Sequence, residues 1–79
     1  MPCFHTHVLY GGAYARDLEG EWFADLEAAC QRARGGARRL LCEMIAAGHD
    51  AIRLEYRIHD AAGTLLATIP VRASVSWSD

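Results

Sequence analysis

The chain has 79 residues, 52% of them hydrophobic and 23% charged, with a formal net charge of −2. That balance excludes a disordered chain, and no apolar run approaches the ~20 residues of a membrane-crossing helix. A globule of this size buries roughly 60% of the surface its unfolded chain exposes, so it can be one domain at most, with a thin margin of stability.

No basic stretch leads into an apolar run near Met1, so no secretory signal is expected. Three cysteines, Cys3, Cys30 and Cys42, without an export signal read as a reducing, cytoplasmic setting rather than a disulfide framework. All eight basic residues are arginine. Residues 28–42 hold Arg32, Arg34, Arg38 and Arg39 and no acid, a local charge of +4 inside a remainder of −6.

Along the chain, Cys3 to Tyr10 alternates as a strand, with Phe4, Thr6, Val8 and Tyr10 on one face and Cys3, His5, His7 and Leu9 on the other. Gly11-Gly12 marks a turn, a second strand is expected over residues 13–18, and Gly20 ends it. Glu21-Trp22-Phe23 reads as extended and buried. Asp25 is an N-cap, after which the period becomes helical. Ala29, Cys30, Ala33, Ala37, Leu40, Leu41 and Met44 fall on one stripe with Leu26, and Gly48 closes the helix. Gly35-Gly36 costs about 1 kcal/mol per residue inside that helix, but the stripe stays in phase across the pair, so one helix is expected with a bend allowed there.

Residues 51–59 alternate again: Ile52, Leu54, Tyr56 and Ile58 face one way, Arg53, Glu55, Arg57 and His59 the other. Asp60-Ala61-Ala62-Gly63 is a hairpin turn. The return strand, residues 64–71, pairs Ile58 with Leu66 through a G1 bulge or with Leu65 through a tighter loop. Pro70 marks an edge strand or its end. The expected architecture is α+β, an antiparallel β-β-α-β-β sheet with one long amphipathic helix on one face. Residues 1–79 form one domain with its ordered core over 3–71, and the tail of 72–79, with Trp77, is flexible or strand-like. The second sheet face lacks a cover, which points to homodimerisation.

The chain resembles a group of short proteins of unknown function abundant in alphaproteobacteria such as rhizobia. The resemblance spans residues 2–71 and rests on Pro2, Phe4 and His7, on Asp17-Leu18-Glu19-Gly20 and on Asp25-Leu26-Glu27-Ala28-Ala29. It continues through Ala37-Arg38, Gly48, Asp60-x-x-Gly63 and Ile69-Pro70-Val71. It implies a small α+β fold in a bacterial cytoplasm and no activity. Cys3, His5 and the serine-rich tail depart from the group's pattern.

Two constellations are candidates for function. Cys3-x-His5-x-His7 puts three metal-type side chains on one strand face, and His59 could join from a neighbouring strand. The outer two are about 13 Å apart along a straight strand and converge poorly, so no metal site or cofactor is assigned. On the helix, Arg34 and Arg38 lie on one flank and Arg32 and Arg39 on the other, with Gly35 between them at the back. These four are the candidate partner-binding residues. An acidic protein is favoured over nucleic acid, because a pI near 6.0 argues against strong binding to phosphates. Cys30 falls in the core stripe and Cys42 outside it.

No paired carboxylates, zinc CxxC or phosphate-cradling glycine loop is present, and no enzyme activity is expected. The leading expectation is a cytoplasmic, homodimeric interaction module. The alternatives are an antitoxin-like nucleic-acid regulator using the helix arginines, and a metal-binding protein using His5 and His7.

Overall fold

A computed structural model describes residues 1–78. Five strands and one helix follow in the order β1 (Cys3–Tyr10), β2 (Ala13–Ala15), β3 (Glu21–Trp22), α1 (Leu26–Ala46), β4 (Ala51–Asp60) and β5 (Leu65–Ser74). All pairings are antiparallel, in the order β2-β1-β4-β5, and β3 pairs with β1 beyond the end of β2. The fold is the α+β sandwich of one sheet and one helix that the alternating and helical periods call for.

Helix α1 is continuous through Gly35-Gly36. At its start Asp25, in an extended conformation, accepts a hydrogen bond from the Ala28 N–H at 2.8 Å. At its end Gly48 takes φ of 101°, a left-handed value that favours glycine. The Gly48 N–H then donates to the Ile45 carbonyl and the His49 N–H to the Met44 carbonyl, each at 3.0 Å, which completes a Schellman cap. Ala29, Ala33 and Ala37 are buried, and their short side chains let the helix lie close on the sheet. Leu26, Cys30, Leu40, Leu41 and Met44 flank them, half-buried. The sheet supplies Phe4, Ile52, Leu54, Tyr56 and Ile58, of which Ile58 is fully buried.

Three expectations need correction. Strand β2 stops at Ala15, because the chain turns in at Asp17 to bond with β1. In the segment expected to be buried before the helix, Trp22 is 64% exposed and only Phe23 tucks under, 6.1 Å from the Phe4 ring. The hairpin register is neither of the two expected: His59 pairs with Leu65 and Ile58 with Ala67, so Leu66 is an extra residue on β5. Without that bulge, Leu66, Thr68, Pro70 and Arg72 would face the helix. With it, Ala67, Ile69, Val71 and Ala73 do, and burial selects the second arrangement. Strand β5 also runs on to Ser74, so the start of the tail is strand-like. Trp77 is 79% exposed, and Asp79 lies outside the described residues.

Candidate functional site on the uncovered sheet face

The face away from α1 carries Cys3, His5, His7 and Leu9 from β1, with His59, Arg57, Glu55 and Arg53 from β4. Strand register sets His5 opposite His59, His7 opposite Arg57 and Leu9 opposite Glu55. Tyr14 on β2 stands opposite Leu9.

Strand β1 is paired by β3 at Cys3 and Phe4 and by β2 from Val8 to Tyr10, which leaves a gap at residues 5–7. Asp17 fills it. Its carboxylate accepts from the Thr6 N–H at 3.2 Å and the Gly20 N–H at 3.0 Å. Its own N–H donates to His7 Nδ1 at 2.9 Å, and its carbonyl accepts from His5 Nδ1 at 2.9 Å. Gly20 closes the loop at φ of 77°, so tightly over β1 that a Cβ there would stand 2.6 Å from Cys3 Sγ and 2.9 Å from His5 Cε1.

These partners fix the tautomers, since a carbonyl can only accept and a backbone N–H can only donate. His5 carries its proton on Nδ1, and so does His59, whose Nδ1 donates to the Gly63 carbonyl at 3.0 Å. His7 accepts on Nδ1, so in its neutral form its proton is on Nε2. Burial holds the His7 pKa below its usual value, and the nearby His59 and Arg16 push the same way. Burial alone would raise the Asp17 pKa. The N–H groups of Gly20 and Thr6 and the adjacent His5 and His7 outweigh it, and the net shift is downward. His7 lies 4.9 Å from the His59 ring, edge-on, and His59 Nε2 is buried without a hydrogen-bond partner among the described residues.

The triplet read as a possible metal site is therefore a latch for the 16–20 loop. His7 offers a protonated Nε2, and His5 packs its ring against Gly20. Among the described residues no group of three or more histidine, cysteine or acidic side chains is placed to hold a metal ion. The signal that sequence reasoning missed is Asp17: an acid 10 to 12 residues beyond the histidines, followed three residues later by a glycine.

The four helix arginines are all exposed and divide as the helical wheel requires. Arg32 and Arg39 border a shallow hollow with Gly35 and Gly36, and Arg32 lies 3.8 Å from Glu21 across solvent. Arg34 and Arg38 instead line a groove of about 340 Å³ between α1 and β5, which Arg72 borders at the strand edge. Cys42 is exposed and Cys30 half-buried, as their positions on the wheel require.

A family of domains of unknown function, DUF6894, matches residues 3–72. The chain belongs to that family. The matched span of the DUF6894 domain runs from the first residue of β1 to within two residues of the end of β5, so it takes in the latch, the helix and both hairpins. No curated protein and no solved structure matches the chain. No helix of the DUF6894 domain, among the described residues, is long and apolar enough to cross a membrane.

Proposed function

We propose that this DUF6894 domain is a small cytoplasmic interaction module that self-associates as a homodimer and binds a macromolecular partner. The observation that carries the reading is the sheet face without a second layer. It is neither fully apolar nor fully charged. A hollow of about 490 Å³ crosses it, lined by Leu9, Tyr10, Tyr14, Glu55, Arg53 and Arg57 among others. Tyr14 is exposed on this face, although an aromatic side chain of this size favours burial with a polar tip left wet. A two-fold contact over this hollow would bring the Glu55 carboxylate of each copy within reach of the other copy's arginines, the self-complementarity that an isologous interface needs.

Sedimentation velocity over a concentration series tests the reading. The wild type is expected at twice the 8.7 kDa chain mass, and Leu9→Arg or Tyr14→Arg at the monomer mass. A wild type that stays monomeric over the whole series removes the homodimer.

A further inference from the structure

We propose that the groove between α1 and β5 binds an extended, acidic peptide segment of another protein, its carboxylates held by Arg34 and Arg38. The inference rests on the interaction-module reading and names that module's partner. Three observations support it. The lining of the groove contains both of these helix arginines, an apolar floor that includes Leu41, Ile69 and Val71, and no acid. The ion pairs among the described residues, Arg32 with Glu21 and Arg57 with Glu55, leave Arg34 and Arg38 without a carboxylate. Arg72 borders the groove at the edge of β5 and stands opposite Arg53 on the face away from α1, where like charges repel. Positive charge thus collects along one edge of a molecule whose net charge is −2.

The other occupants fit less well. A second copy joined edge to edge through β5 would place six arginines around the two-fold axis, and Pro70 has no N–H to give a neighbouring strand. Duplex nucleic acid fits less well, because strong binding neutralises several phosphates at once and the groove presents two helix arginines. A trough this shallow would seat side chains of an extended segment better than a helix of ~10–12 Å diameter. Guanidinium groups hold carboxylates through paired N–H donors, which gives such a segment both charge and direction.

The test uses a fluorescein-labelled peptide of alternating glutamate and valine, with an alternating lysine and valine peptide and a DNA duplex as comparisons, in low-salt buffer. Anisotropy should show saturable one-to-one binding of the acidic peptide only. Arg34→Glu with Arg38→Glu should weaken it about tenfold or more, a loss of ~1.4 kcal/mol or more. Arg32→Glu with Arg39→Glu, which makes the same change of charge on the other flank, should leave affinity within about twofold. Amide shifts on titrating the wild type should centre on Ile69, Val71 and Arg72, a readout that needs no variant to fold. Equal loss in the two double variants, shifts centred elsewhere, tighter binding of the duplex, or no saturable binding would each overturn the proposal. A chain that dimerises and ignores the peptide would keep the homodimer and lose the groove, so the two failures are distinct.

Discussion

Asp17 commits every polar atom it has to neighbours: both carboxylate oxygens, its N–H and its carbonyl are all bonded, three of them to β1. Hydrogen bonds to a charged acceptor contribute more than neutral ones, so Asp17→Ala should cost about 2–3 kcal/mol in urea denaturation. Glu19→Ala, two residues on and exposed, should stay within about 0.5 kcal/mol. Equal costs for the two would argue against the latch. The same contacts set a pH dependence. His7 has a lowered pKa in the folded chain, so above 6.5 it is neutral in both states and the full contribution is present. As pH falls below 6.5 the unfolded chain takes up a proton that the folded chain resists, and stability declines. Asp17 adds a second loss below 3.8 by the same sign. The melting temperature should therefore drop on acidification below 6.5, and His7→Asn should flatten that first step; a melting temperature that rose there would contradict the assignment. The shared face of His5 and His7 was legible from strand alternation. Their partner was not, because a loop folding back over ten or more residues leaves no periodic trace.

At the scale of elements, the long helix and its limits follow from local chemistry. An apolar stripe, an N-capping aspartate and a left-handed glycine at the C-terminal end each act within one or two turns, so they can be read residue by residue. Gly35 and Gly36 break that local logic. A Cβ at either would meet nothing within 4 Å, so no close approach requires them. Replacing each with alanine should stabilise the chain by about 1 kcal/mol, seen as a melting point higher by about 4–8 °C for each kcal/mol in a domain this small. A fall in melting point would mean that the glycines serve a contact outside the lone chain. The β4–β5 register was harder to read. The turn residues Asp60 and Gly63 specify the loop: Asp60 accepts from Ala62 and Thr64 and its carbonyl from Gly63. The register beyond the loop is decided by which β5 residues the helix can bury. The alternation of Ala67, Ile69, Val71 and Ala73 held that information, and the turn did not.

For the whole molecule, eight buried residues make up the core, and β4 supplies four of them. With folding free energies of natural domains near 5–15 kcal/mol, Ile58→Ala, which would empty a fully buried site, should lose about 2–5 kcal/mol in urea denaturation. A loss under about 0.5 kcal/mol would mean that Ile58 is not packed in the core. The fold class could be read from periods alone. The lone helix covering one face of the sheet could also be anticipated. The position of Arg72 opposite Arg53, on the face away from α1, could not, since it depends on the bulge at Leu66. The filled gap beside β1 bears on how the protein behaves when concentrated. Fibril growth by stacking strand on strand needs an unbroken rail of free amides at a sheet margin. On one margin Asp17 occupies the stretch between two short strands, and on the other Pro70 removes an amide from the middle of the run. Intact molecules should therefore resist seeding, and the first variants to form thioflavin-positive deposits should be those that free the margin at Thr6.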